Sequence, residues 1–284
     1  MTPKLKKNLS TFGKITVSIS LIALVFSRLD WSQIFLMFRK IHLFWFLCAI
    51  FFFLLSIPIS ILRFNLFIRK LGIRLSFKTN FQLYMVGLFY NFFIPGGVGG
   101  DAYKVYLLNK AYKKSLKKIG GIIFLERFIG VVAIGMIVSA LLLFVRFPIS
   151  YNWNIAASVL GVIGTFVILQ LIIRYMTVDK KRIYLVYFYS LLNQLSQLLC
   201  VLFVLKSFEI EGDFIIYLLL FFASSVLSVI SFAGIGVREA VFYYGAHWFQ
   251  FNPDVSAGVA LWFSILTAVF SFFGVIYIFR KIDV

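Results

Sequence analysis

Six continuous apolar stretches, at about 9–27, 43–62, 119–145, 153–174, 183–205 and 255–279, restrict this chain more than any other feature. Each meets the ~20 mostly apolar residues that a helix needs to cross a bilayer. A membrane barrel would instead show short segments alternating apolar and polar at period 2, and these runs do not alternate. With 62% hydrophobic residues and 36 phenylalanines, the chain lies well outside the soluble range. The expected fold class is therefore all-α, a polytopic membrane bundle with about six full transmembrane helices.

Two further apolar regions, about 79–108 and 214–250, are interrupted by glycine. The first break reads NFFIPGGVGGDAYK from Asn91 to Lys104, and the second reads SFAGIGVREAVF over residues 231–242. Pro95 lacks an amide donor, and Gly96, Gly97, Gly99 and Gly100 favour a helix poorly, so backbone groups there lose their intrahelical partners. At membrane depth such groups must find partners in protein or in a water-lined cavity. Paired interruptions in two halves are the sequence mark of a transport site. Each region is expected to be a re-entrant hairpin that enters and leaves on one side.

Basic residues support that choice. With both regions re-entrant, one side receives the clusters at 4–14, 63–78, 110–118, 174–182 and 280–281, or 20 of the 28 Lys and Arg. The other side receives Arg28, Arg39, Lys40, Arg146 and Lys206 with the acids Glu209, Glu211 and Asp213. By the positive-inside rule the basic side is cytoplasmic, both termini lie there, and the membrane is the cytoplasmic one. Topology accounts for most of the net charge of +18, so no nucleic-acid partner is expected. The same reading divides a single domain, 1–284, into inverted halves of about 1–145 and 146–284. Gly97, Val98 and Gly99 align with Gly234, Ile235 and Gly236 at an offset of 137 positions.

The ionisable residues left inside are Asp101, Lys104, Glu126, Arg127, Arg238 and Glu239, which are site candidates because charge at membrane depth is costly unless paired or facing a cavity. Glu126 with Arg127, and Arg238 with Glu239, are sequence neighbours that diverge by roughly 100° on a helix, so each is expected to pair across helices. Asp101 suits either capping of a half-helix or contact with a cation, while Arg238 beside exposed amides suits an anion such as phosphate. Asn91, Gln194 and Gln197 are candidate polar lining. Cys48 and Cys200 lie inside apolar spans, and His42 and His247 suit interfacial packing. No nucleophile with a base, no metal spacing and no phosphate-binding loop of the nucleotide type is legible, so neither enzymatic activity nor a cofactor is expected.

The pattern N-x-F-x-P-G-x-x-G-G-D-x-x-K, with E-R-F-I-G at 126–130 and G-I-G-V-R-E at 234–239, resembles the flippase-like membrane domain of lysylphosphatidylglycerol synthases. The resemblance runs from the first helix to Phe279. It departs at Phe232 and Ala233, where the family often has proline and another small residue. By resemblance, Asn91, Pro95, Gly96, Gly99, Gly100 and Asp101 take the first motif's positions, Arg127 and Gly130 the second's, and Gly234, Gly236 and Glu239 the third's. No cytosolic aminoacyl-transferase domain like that of the full-length synthases is legible in these residues, so synthase activity is not expected to carry over. What the resemblance implies is a membrane lipid translocase whose partner is a phospholipid or polyprenyl-phosphate lipid. The alternative it offers is a non-transporting subunit that scaffolds a lipid-modifying or glycosyl-transferring enzyme. Oligomeric state, lipid identity and energy source are not encoded in these motifs.

Overall fold

The computed structural model describes Ser27, residues 31–93, 98–145, 151–175, 179–210, 212–228 and 236–279, and Ile282. The expected helix at 9–27 lies outside these residues apart from Ser27, as do Pro95, Gly96, Gly97, Phe232, Ala233 and Gly234. Among the described residues there is no strand. The helices are α1 (Trp31–Arg39), α2 (Leu43–Ile68), α3 (Phe77–Phe93), α4 (Gly99–Tyr112), α5 (Leu116–Leu142) and α6 (Tyr151–Tyr175). They continue with α7 (Lys180–Ser207), α8 (Phe214–Leu227), α9 (Val237–Phe249), α10 (Pro253–Phe272) and the short α11 (Val275–Ile278). Five spans, Leu43–Leu71, Leu116–Leu142, Trp153–Tyr175, Lys180–Ser207 and Pro253–Ile278, are long and apolar enough to cross a membrane. Exposed Leu160, Ile163, Phe166 and Val167 on α6 are what a lipid-facing helix presents. The chain is a multi-pass membrane protein with an all-α fold.

One boundary and one additional helix differ instructively from the sequence reading. Helix α2 does not stop near residue 62 but runs to Ile68 and through a 3₁₀ turn, Arg69–Leu71, to Gly72 at φ +74°. The helix survives its first polar residues because they find protein partners: the Asn65 amide nitrogen donates to the Leu75 carbonyl at 3.0 Å, and Arg63 binds Glu126. Arg63 therefore belongs inside the bundle, not to the basic loop cluster assigned to it. The amphipathic α1 also escaped the sequence reading. It rests its buried Ile34 beside Ala257 of α10.

Each broken region is a pair of helices folded back on itself. Where α3 and α4 cross, a Cβ added to Gly100 would overlap the Gly87 carbonyl, so the two backbones touch through glycine. Between α8 and α9 the Gly245 position is filled by the Leu220 side chain instead. The first pair begins and ends at one end of the bundle, where Ile68, Leu75, Leu108, Ile119, Ile173 and Ile183 form one buried cluster. Three basic stretches, Arg69 to Lys78, Lys110 to Lys118 and Arg174 to Arg182, gather at that same end. The second pair begins and ends at the other, where Ala49, Val204, Phe208, Ile216, Phe242 and Val259 pack together near Glu209 and Asp213.

Element boundaries recur at one spacing. Leu43 and Lys180, Phe77 and Phe214, and Leu116 and Pro253 open corresponding helices 137 positions apart, and Gly99 and Val237 do so at 138. Packing follows the same correspondence: α2 packs on α3 as α7 does on α8, and α3 meets α10 as α8 meets α5. At the centre, α2 packs along its own counterpart, α7.

Candidate functional site

The tip of the first hairpin builds a polar cavity inside the bundle. Asn91, near the end of α3, accepts a hydrogen bond at its Oδ1 from the Gly100 amide, 2.8 Å away. One of the orphan donors that open α4 is thus satisfied from across the turn. Asp101, one residue on, is left to reach α5, where its carboxylate forms a short ion pair with the Arg127 guanidinium. Capping and charge pairing, which the sequence could not apportion, are divided here between Asn91 and Asp101.

A second ion pair stands beside the first. Arg63 of α2 directs Nε and Nη2 at Glu126 Oε1, both at 2.9 Å, and its Nη1 donates to Ser190 Oγ at 3.3 Å. Ser60, one turn earlier, donates to Asn193 Oδ1 on α7 at 2.9 Å. As expected for residues that diverge on one helix, Glu126 and Arg127 do not pair with each other but reach α2 and α4 respectively. Lys104 rises from α4 one turn after Asp101, and its Nζ lies 4.9 Å from the Phe64 ring centroid and 5.5 Å from that of Tyr84. Such cation–π contacts stabilise an ammonium without neutralising it.

These side chains enclose about 240 Å³, lined by Ser60, Arg63, Phe64, Tyr84, Leu88, Asn91, Asp101, Lys104, Glu126, Arg127, Asn193 and Gln197. Of the residues singled out from sequence, Asn91, Asp101, Lys104, Glu126 and Arg127 meet here, as does Gln197. Gly99 and Gly100 open the helix that carries Asp101 and Lys104. Gln194 does not line the cavity. Arg63, Ser60 and Asn193 are site residues that hydropathy passed over. Ser56, Ser60 and Arg63 recur at helical spacing within an apolar run, and that polar stripe was the available signal.

Arg238 and Glu239 lie elsewhere, at the start of α9. Gly236 takes φ +85°, a conformation that suits glycine, and its amide donates to Glu239 Oε2 at 2.6 Å. Fully buried Glu239 also accepts from Ser264 Oγ at 2.7 Å, so its carboxylate serves the helix terminus and α10 together. Arg238 donates from Nη1 to Ser264 at 3.3 Å and lies against Phe263, 4.7 Å from the ring centroid, with Phe221 at 5.9 Å. Its Nε is enclosed without a hydrogen-bond partner among the described residues. Among the described residues, the lining of the cavity that holds Asp101 does not include Arg238. Yet Arg238 stands 137 positions after Asp101, and Ser264 stands 137 after Arg127. At that offset a neutral hydroxyl, Ser264, aligns with a guanidinium, Arg127.

The cavity can hold and orient a charged group. Both of its carboxylates are committed to guanidinium groups, an arrangement suited to binding. Among the described residues no group of three or more His, Cys, Asp or Glu side chains could hold a metal ion.

Residues 12–182 match the family described as Lysylphosphatidylglycerol synthase TM region. The chain belongs to that family. The matched segment is more than half of the chain and contains the hairpin motif and Glu126–Arg127, hence the charged lining of the cavity. The stretch at 234–239 lies beyond it, so the family match is narrower than the resemblance read from the motifs. Membership places the protein in a lipid-related membrane context. No curated protein matches the chain.

Proposed function

We propose that the protein is a translocase that moves a phosphate-bearing lipid between the leaflets of the cytoplasmic membrane. The observation that carries this reading is the ion-paired cavity at the hairpin tip, in the interior of a multi-pass bundle. Arg127 lies roughly 17 Å along the axis of α5 from Leu116, close to half the thickness of a hydrocarbon core. Charge at such a depth is a functional signal by default. A volume of about 240 Å³ suits a headgroup and excludes a whole lipid.

The surroundings support an amphipathic ligand. An apolar groove of about 330 Å³ runs beside the cavity on the same two helices, with Leu54, Ile57 and Pro58 of α2 and Phe81 and Met85 of α3 in its wall. Ile57 is one turn from Ser60, and Phe81 one turn from Tyr84, so head and chain sites adjoin at one seam. Hairpins that open at opposite ends fit two re-entrant segments in inverted halves, the arrangement of many transporters. In this reading the basic end, with both termini, faces the cytoplasm. Pairing of both acids with guanidinium groups supports a binding role for the chain in place of an enzymatic one.

The test is transbilayer movement in vesicles containing the purified protein, using a panel of labelled phospholipids and polyprenyl-phosphate lipids. Accelerated movement of at least one phosphate-bearing lipid over protein-free vesicles is expected. Absence of acceleration across the panel, in protein whose fold is verified by thermal unfolding, would overturn the proposal.

A further inference from the structure

The charges that line the cavity do not balance. Among the described residues lining it, three cations (Arg63, Lys104 and Arg127) face two anions (Asp101 and Glu126), a surplus of one positive charge. Both anions are already engaged, Glu126 by Arg63 and Asp101 by Arg127. Among the described residues Lys104 makes no ion pair, and its ammonium lies against the Phe64 and Tyr84 rings. Residues 94–97, between α3 and α4 in the sequence, include no ionisable side chain.

Geometry fixes the ammonium in place. The aliphatic stem of Lys104 crosses α3 at Gly87, where an added Cβ would stand 3.0 Å from Cε. An unneutralised cation in a site of low dielectric favours an anion and repels a second cation, and both effects strengthen as water is excluded.

We propose that Lys104 makes this cavity a site for anionic phosphate headgroups that discriminates against headgroups of net positive charge, lysyl-phosphatidylglycerol included. The proposal deepens the translocase reading by naming its headgroup class and the residue that selects it. It predicts that this chain handles a lipid opposite in charge to the lysylated lipid in its family's name.

The full chain, purified in detergent, would be presented with phosphatidylglycerol, lysyl-phosphatidylglycerol or phosphatidylcholine, and retention read by native mass spectrometry. Wild type is expected to retain phosphatidylglycerol about tenfold more than its lysyl ester. Lys104→Met, which keeps the stem against both rings, should abolish that preference, whereas Lys104→Arg should keep it. Lys104→Glu should reverse it. Equal retention of the two lipids by wild type, or an undiminished preference in Lys104→Met, overturns the inference. Competition with inorganic phosphate separates the two sources of the anion. Displacement of phosphatidylglycerol only by another lipid supports the headgroup assignment, while displacement by millimolar phosphate alone overturns it. Selective retention without transbilayer movement would sustain this inference and overturn the translocase, and movement without charge preference would do the reverse.

Discussion

Arg63 and Glu126 illustrate how much a single interior contact carries. Their side chains are 12% and 8% exposed, so removing one partner strands the other where water cannot fully solvate it. Glu126→Leu is expected to cost about 3 kcal/mol, read as a lowered thermal midpoint of the purified protein, because a broken buried pair leaves an uncompensated charge. Adding Arg63→Met to that variant should recover most of the loss. Asn91→Ala should cost about 1 kcal/mol by freeing the Gly100 amide, while Asn91→Asp keeps an acceptor at a favourable helix terminus and should cost less. The candidate ionisable residues were legible because charge is rare in apolar sequence. Their partners were not. Nothing local told that Glu126 would take an arginine 63 positions away, or that Asp101 would leave capping to Asn91. Arg63 was misplaced for a related reason: a hydropathy run ends at its first cation, whereas a helix ends where its polar groups cease to find partners.

The helical hairpins depend on glycine in a way that substitution can resolve. Gly100→Ala puts a methyl group into the Gly87 carbonyl, and the helices must separate, an overpacking cost of about 3 kcal/mol. Gly120→Ala and Gly121→Ala, in the first turns of α5, meet nothing within 4 Å and should leave stability unchanged or raise it by up to ~1 kcal/mol. Thermal unfolding of the three variants in one detergent checks the contrast, and equal midpoints would remove the close crossing as an explanation for the glycine. Both breaks were visible in sequence as glycine inside apolar runs, since few other residues interrupt a membrane helix at low cost. The amphipathic Trp31–Arg39 helix was not, because nine residues lying along a surface carry neither the length nor the uniform hydropathy of a span. Helix ends moved by a turn or more where tertiary partners extended them, as at Ile68.

At the scale of the molecule, composition fixed a membrane bundle, and the distribution of Lys and Arg anticipated which loops share an end. A cysteine placed at Ser115 should react with an impermeant thiol reagent only after cells are permeabilised, whereas one at Ser150 should react from outside. Labelling of Ser115→Cys in intact cells would reverse the proposed orientation. The proposed repeat was read from three aligned residues, and the recurrence of helix starts at the same spacing is what such a repeat requires, because the register of packed helices outlasts sequence similarity. Within that register the halves are alike in frame and unlike in charge: Asp101 faces Arg127 in one, and Arg238 faces Ser264 in the other. For a carrier without an energy source this inequality has a strict thermodynamic limit. Detailed balance forbids unequal half-sites from building a gradient, so the difference between them can appear only in kinetics. Half-saturation and maximal flux measured from the two leaflets would differ, but their ratios would cancel to leave equal lipid activities at rest. A measured imbalance at rest would reveal a coupled ion or a driving partner.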